Sequence, residues 1–168
     1  MEFVASSVLT LDPARRERFW GSVERTAECW IWKGSLSVKG YGVFRLKEAG
    51  KSRGRFSHRL SYEMCVGPIP AGMVIDHICH MKACVNPKHL RPVTNKQNLE
   101  NRDGPQRNSK TGVRGVFLTR NGRYNARVKH HQVIHNIGNF RTLKDAEAAV
   151  VALRNELFTH NDMDRRAA

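Results

Sequence analysis

The stretch from residue 73 to residue 103 constrains the fold most, because it gathers metal-binding side-chain types in one short segment. A short apolar run ends at the adjacent pair Asp76 and His77. After a loop that contains cysteines, residues 90–93 form a second short run, and Thr94 with a glutamine three residues later makes a capping box. The predicted order is strand, loop, strand, helix, and a metal is expected to stabilise so small a unit.

Asp76, His77 and Asn98 carry the chemistry expected of phosphodiester hydrolysis. Neighbouring residues of a strand point to opposite sides, so one side chain of the Asp76–His77 pair can face a metal while the other faces water. A neutral histidine is a good base near neutral pH. Magnesium prefers oxygen ligands, which Asp76 and the amide of Asn98 in the predicted helix offer.

These residues resemble the motif of the HNH endonuclease family, in its phage and homing-endonuclease branch with a ββα-metal fold. The resemblance implies that His77 is the general base, that Asp76 and Asn98 bind one catalytic Mg²⁺ or Mn²⁺, and that His89 is the middle residue of the motif. Asn86 lies close to that middle position and is the alternative to His89.

Cys79, Cys84 and His89 are spaced with four residues between each pair, which suits a structural zinc site that fixes a loop. The other interpretation is that the cysteines are simply buried thiols. A zinc site needs a fourth ligand, and the sequence leaves three candidates: His80, His58 and Cys65.

The charge distribution predicts a nucleic-acid partner. The chain has 29 Lys and Arg residues against 15 acidic ones, a formal net charge of +14, and no Asp or Glu occurs between residues 104 and 144. Such an excess attracts polyanions. No run of about 18 apolar residues is present, so no membrane partner is expected.

Residues 112–158 show strand alternation followed by helical spacing. Three strands are predicted at 113–119, 124–129 and 133–140, and Thr142 is expected to cap the helix that packs on their apolar face. The segments 112–117, 123–127, 137–140 and 145–149 resemble the APETALA/ethylene-response-factor DNA-binding domain, which implies that the basic sheet face lies in the major groove. The candidate DNA contacts are Arg114, Arg120, Arg123, Tyr124, Arg127 and Lys129, with Asn125 as a further possibility.

The first part of the chain is predicted to begin with a helix over 13–25 and to continue into strands at 30–32 and 39–45. A short helix is expected at 58–65. His58 and Arg59 at its start are predicted either to contact phosphate or to pack locally.

The fold class predicted is α+β, a ββα-metal nuclease domain followed by a small three-stranded antiparallel sheet packed on one helix. The expected divisions are a nuclease domain at 1–103, a linker at 104–111, a DNA-binding domain at 112–160 and a tail at 161–168. The start of the chain shows no secretory signal pattern, so a cytoplasmic location in a bacterial or phage-infected cell is expected.

The predicted function is a metal-dependent endonuclease or nickase acting on double-stranded DNA, with site preference supplied by the basic sheet. Two alternatives remain: a non-catalytic DNA-binding protein with an inert HNH fold, and an RNA-binding protein with structural zinc. Oligomeric state, recognition sequence and biological role (homing, restriction or phage packaging) are left open by the sequence.

Overall fold

A computed structural model describes residues 11–48, 50–102, 104–105 and 107–166 of the chain. The chain folds as two compact units, residues 1–95 and 96–168. The fold class is mixed, with short helices and small antiparallel sheets, as the sequence predicts.

The first unit begins with helix α1, Pro13–Gly21, which Asp12 caps by accepting a hydrogen bond from the backbone of Arg15. The helix is shorter than predicted. The amide of Ser22 bonds back to the Phe19 carbonyl, and the chain then turns into strand β1, Val23–Arg25. β1 pairs with β2, Trp30–Trp32, so the last residues predicted as helix form a hairpin instead.

A second hairpin follows in the first unit. Strand β3 spans Val43–Glu48, later than the strand predicted at 39–45, and pairs with β4, Lys51–Phe56, which the sequence did not predict. β4 leads directly into helix α2, Ser57–Cys65, close to its predicted bounds. The core beneath these elements is formed by buried apolar residues: Phe19, Trp32, Phe44, Leu46, Leu60 and Val85.

The motif region follows the predicted order of elements. Strand β5, Val74–His77, pairs antiparallel with β6, Leu90–Val93, and a short 3₁₀ helix over Pro87–His89 precedes β6. Helix α3 then spans Asn95–Glu100, starting where the capping box predicts. The boundary between the two units falls within α3.

The second unit contains a three-stranded antiparallel sheet in the order β7–β8–β9, over Val116–Leu118, Tyr124–His130 and Val133–Phe140. Helix α4, Leu143–Leu157, packs on its apolar face, and Thr142 caps it through the amide of Asp145. This arrangement of three strands and one helix confirms the sequence prediction.

A final helix α5, Asp162–Arg166, lies in the stretch that the sequence assigns to a tail, whose last two residues fall outside the described part of the chain. Two contacts anchor α5 within the second unit. The Asp162 amide donates to the Asn101 side chain, and Asp164 pairs with the buried Arg154. Among the described helices, none has the length and apolar character needed to cross a membrane.

Candidate functional site

Asp76 and His77 occupy the end of β5, and each is only 7% exposed. Asp76 lies opposite Arg91 in the register of β5 and β6. Both the Nε and a terminal nitrogen of Arg91 donate to Asp76 Oδ2, at 3.1 and 2.9 Å. The arginine therefore fixes the orientation of this carboxylate.

The His77 ring is held by a backbone carbonyl. Its Nε2 lies 3.2 Å from the carbonyl oxygen of Cys84, and only a protonated nitrogen can donate to that oxygen. In the neutral ring this contact leaves Nδ1 as the basic nitrogen. Burial lowers the pKa of His77, an effect that outweighs the opposing influence of Cys84 and Asp76, so the ring is neutral near neutral pH.

Two further rings pack around His77. The His58 ring centroid lies 4.8 Å from that of His77, and the Tyr41 ring centroid lies 5.9 Å from it. His58 is 6% exposed, and within the described residues its Nδ1 has no hydrogen-bond partner. Burial, with His77 nearby, lowers the pKa of His58 to about 3. This side chain is a neutral polar group beside His77.

Three cysteines and one histidine converge at the loop between β5 and β6, residues 78–89, which we name the motif loop. The ligand atoms of Cys29, Cys79, Cys84 and His89 all lie within 4.8 Å of one another. His89 Nδ1 is 3.6 Å from Cys29 Sγ and 3.7 Å from Cys84 Sγ. Tetrahedral ligand atoms around zinc, with bonds of about 2.3 Å to sulfur and about 2.0 Å to nitrogen, lie roughly 3.5–3.8 Å apart.

Hydrogen bonding and burial shift the pKa values of the three thiols in different directions. A hydrogen bond between Cys79 and Cys84 raises the pKa of the first thiol and lowers that of the second, and burial raises the pKa of Cys29. Three thiolates in one place repel each other unless a cation neutralises them. The Cys₃His donor set and its spacing therefore fit zinc, and we name these four residues the Cys₃His cluster.

Cys29 is the member that sequence reasoning missed. It reaches the cluster because β2 runs beside the motif loop, with a bridge between Ile31 and Cys84. The three fourth ligands considered from the sequence, His80, His58 and Cys65, are not part of the cluster. The sequence signal that could have identified Cys29 as a ligand is that it is the fourth cysteine of the chain and directly precedes a predicted strand.

His89 and Asn86, the two candidates for the middle position of the motif, have different surroundings. His89 directs Nδ1 into the Cys₃His cluster. Asn86 caps the 3₁₀ helix by accepting from the Lys88 amide, and its side-chain nitrogen donates to the Glu28 carbonyl. Both residues thus hold the loop in place. Asn98 lies on α3, in the second unit.

The exposed face of the sheet in the second unit carries two of the predicted basic residues, Arg127 and Lys129. Ala126 and Val128 are buried against α4, whereas Arg127 and Lys129 are exposed on the opposite face. The Arg127 guanidinium lies 4.1 Å from the centre of the Phe117 ring. Arg120 and Arg123 are exposed in the turn before β8, while Tyr124 packs against the core.

Arg114 has a different environment from the other predicted DNA contacts. Its guanidinium donates to the carbonyls of Leu99, Glu100 and Arg102, at 2.9 to 3.1 Å, and lies over the Phe158 ring. Burial lowers its pKa to about 10, so it remains charged at neutral pH. The arginine thus satisfies the Leu99 and Glu100 carbonyls at the end of α3, which have no partner within the helix, and the Arg102 carbonyl just beyond it.

Replacing Arg114 with methionine is expected to lower the free energy of unfolding of the second unit by about 1–2 kcal/mol, because it removes a charged donor from the three carbonyls, of which that of Glu100 is partly buried. All three tryptophans lie in the first unit, so amide hydrogen exchange by mass spectrometry is the suitable measurement. Arg120→Met, at an exposed turn position, is the matched control. Equal protection in the two variants would contradict the assignment.

Comparison with known proteins matches residues 55–100 to the family model described as HNH endonuclease. This segment contains β4 from Arg55 onward, α2, β5, β6 and α3. The match agrees with the family resemblance of the motif region and suggests nuclease activity. It ends before residue 112, and none of the comparisons supports the resemblance of residues 112–158 to the APETALA/ethylene-response-factor domain.

Two phage proteins are similar to part of the chain. Protein 7.7 of Escherichia phage T7 is 42% identical over 73 residues, which are 44% of this chain and 53% of that protein. The uncharacterized gene 5.3 protein of Enterobacteria phage T3 is 34% identical over 62 residues, 34% of this chain and 61% of that protein. The chain thus spans about half to three fifths of these relatives. No solved structure matches the chain.

Proposed function

We propose that the chain is a metal-dependent DNA endonuclease or nickase in which His77 is the general base. One observation carries the proposal: the buried His77 ring donates Nε2–H to the Cys84 carbonyl at 3.2 Å, which leaves Nδ1 ready to accept a proton. A neutral, fixed imidazole next to a buried carboxylate is what activation of water for attack on phosphorus requires. The HNH family match over residues 55–100 supports the same reaction class.

His77 and the residues around it have different roles in the proposed proton transfer. His77 Nδ1 takes the proton from the attacking water, and the Cys84 carbonyl stabilises the imidazolium that forms. The rings of His58 and Tyr41 limit rotation of the His77 ring. His58 also offers a polar group for a phosphate oxygen, and Arg59 next to it offers a positive charge.

Asp76 and Asn98 are the proposed oxygen ligands for Mg²⁺ or Mn²⁺. Arg91 holds the Asp76 carboxylate in place, and Asn98 enters the proposal through the sequence motif and the span of the family match. A bound divalent cation would supply charge neutralisation at the scissile phosphate and at the leaving oxygen. His89, considered at first as the middle residue of the motif, is proposed as a structural ligand instead.

The Cys₃His cluster is proposed to hold structural zinc through Cys29, Cys79, Cys84 and His89. The same residue whose thiol belongs to the cluster, Cys84, supplies the carbonyl that orients His77. A well-ordered cluster therefore fixes the position of Cys84, and through the Cys84 carbonyl it fixes the orientation of His77. Its role is to position the loop rather than to take part in the reaction.

Double-stranded DNA is the proposed partner, gripped by the exposed sheet face of the second unit through Arg120, Arg123, Arg127 and Lys129. The contact of the Arg127 guanidinium with the Phe117 ring restrains this side chain, which suits it to a guanine edge or a phosphate. We propose a nuclease part at 1–103 and a DNA-binding part at 112–160, joined by 104–111, with site preference coming from the second part.

The test is cleavage of supercoiled plasmid by the purified chain with Mg²⁺, with Mn²⁺ and with EDTA. We expect conversion to open-circle or linear DNA with either metal and none with EDTA, and the product form distinguishes nicking from double-strand cutting. Absence of cleavage with both metals on several plasmids, combined with retained DNA binding, would contradict the nuclease proposal.

That outcome would favour a second candidate, a non-catalytic DNA-binding protein. The observation in its favour is the Arg91–Asp76 ion pair, which already compensates the charge of the proposed metal ligand. In that case added Mg²⁺ would leave both DNA affinity and the DNA itself unchanged.

A further inference from the structure

The hairpin formed by β3 and β4 is a strongly basic ribbon in the first unit. Residues 45–55 contain five cationic residues and one acidic residue, Glu48. All six residues of β4 are exposed, and so are Arg45 and Lys47 on β3. The five cations of this basic hairpin are Arg45, Lys47, Lys51, Arg53 and Arg55.

Packing does not account for the composition of β4. On β3, Phe44 and Leu46 alternate into the core and are 4% and 3% exposed. Their partners across the hairpin are Arg55 and Arg53. On the face of the hairpin where β3 has apolar residues, β4 therefore has charged ones. Arg55 is paired with Glu63 of α2, at 3.6 Å, whereas Lys51 and Arg53 lie nearer the turn and are exposed. Like charges at alternate positions of one strand, about 7 Å apart, repel each other unless an anion lies against them.

The other face of the hairpin is open and also cationic. Arg45 and Lys47 pair with Gly54 and Ser52, which are small enough to leave both long side chains uncovered. β3 and β4 form a sheet of two strands, so the outer edge of β4 keeps backbone groups that no further strand pairs within the described chain. Arginine side chains of α1 cover only the outer edge of β3.

Two arginines of α1 contact the outer edge of β3, and the first of them, Arg15, is itself paired with Asp12. Arg15 and Arg18 donate to the carbonyls of Lys47 and Arg45, at 3.1 and 2.7 Å. Arg18 also lies 4.6 Å from the centre of the Phe44 ring. These contacts hold the β3 edge of the ribbon in place.

The hairpin begins at the candidate active site. Phe56, the last residue of β4, stacks on His58 with ring centroids 5.6 Å apart, and the His58 ring contacts His77. From this root the ribbon extends by six residues to its turn, about 20 Å. A polyanion bound along the ribbon would thus run past the proposed base.

We propose that the basic hairpin is a second DNA-contact surface, which holds the phosphates of duplex DNA next to the bond that is cut. The inference rests on the proposed function and adds a grip within the nuclease unit itself. A two-stranded ribbon fits the major groove, and lysine and arginine on both of its faces reach the phosphates on either side. The basic sheet of the second unit is then one of two contacts with DNA.

The test is the salt dependence of binding to a labelled DNA duplex, measured by fluorescence anisotropy in EDTA, where cleavage does not interfere. Lys51→Gln/Arg53→Gln is expected to reduce the slope of log affinity against log salt by about 1 to 2, since each lost phosphate contact removes about 0.9. Arg45→Gln/Lys47→Gln, on the opposite face, is a second variant with the same expectation.

The matched control is Lys33→Gln/Lys144→Gln, which removes two charges from exposed positions elsewhere; Lys33 is already paired with Glu24. Unchanged tryptophan emission verifies that the first unit is folded. Slopes equal to that of the control in both hairpin variants would overturn the inference.

The binding and plasmid assays separate the two proposals. If the wild-type chain cuts plasmid but the hairpin variants bind like the control, the nuclease stands and the surface is wrong. If the hairpin variants reduce the slope of log affinity against log salt but no metal produces cleavage, the DNA-contact surface is supported and the nuclease proposal is wrong.

Discussion

Replacing His77 with alanine is expected to lower the rate of metal-dependent plasmid cleavage by about 10²–10⁴-fold, the usual contribution of a general base. DNA affinity should stay close to that of the wild-type chain, because His77 is buried and is not part of either basic surface. Single-turnover cleavage and anisotropy on the same preparations measure the two quantities.

The control for this variant is His131→Asn, at an exposed turn position with positive φ that asparagine tolerates. It removes one imidazole without touching the motif, so its cleavage rate should match the wild type. Full activity in His77→Ala would show that another group activates water.

The pH dependence of kcat/KM offers an independent check on the same base. Burial places the pKa of His77 below its ordinary value of 6.5, and only the neutral ring accepts a proton. The rate should therefore fall on acidification below that lowered pKa and stay flat through neutral pH. A rate that keeps rising well above neutral pH would assign the base to a group with a higher pKa.

The parts of the fold that sequence predicts well are those set by local patterns. β8 alternates buried and exposed residues, and Thr142 signals the start of α4, so the second unit follows from neighbouring residues alone. β4 lacks any such alternation. Its strand conformation depends on pairing with β3. The neighbouring residues alone therefore do not predict the basic hairpin.

The candidate site shows the same division. Asp76 and His77 are adjacent, and their chemistry is recognisable from the sequence. Cys29 is 50 residues before Cys79 in the chain and joins the cluster only through the pairing of β2 with the motif loop. In the sequence, Arg114 cannot be distinguished from the other basic residues. The fold shows that its guanidinium donates to backbone carbonyls at the end of α3.

Replacing Cys29 with serine is expected to weaken zinc binding by about 10²-fold. Structural zinc sites contribute roughly 10–16 kcal/mol over four ligands, so one thiolate accounts for about 3 kcal/mol. Metal analysis after dialysis against a competing chelator measures the loss. The matched control is Cys65→Ser, since Cys65 is exposed at the end of α2 and outside the Cys₃His cluster.

Loss of the metal should also be visible without any cleavage assay. Trp30 and Trp32 follow Cys29 directly on β2, and all three tryptophans of the chain lie in the first unit, so its loosening should shift their emission to longer wavelength. The Cys84 carbonyl would then no longer hold His77, and Mg²⁺ alone should fail to restore cleavage to zinc-stripped protein, whereas zinc followed by Mg²⁺ should succeed. Unchanged emission and full recovery with Mg²⁺ alone would show that the cluster positions the base without a metal.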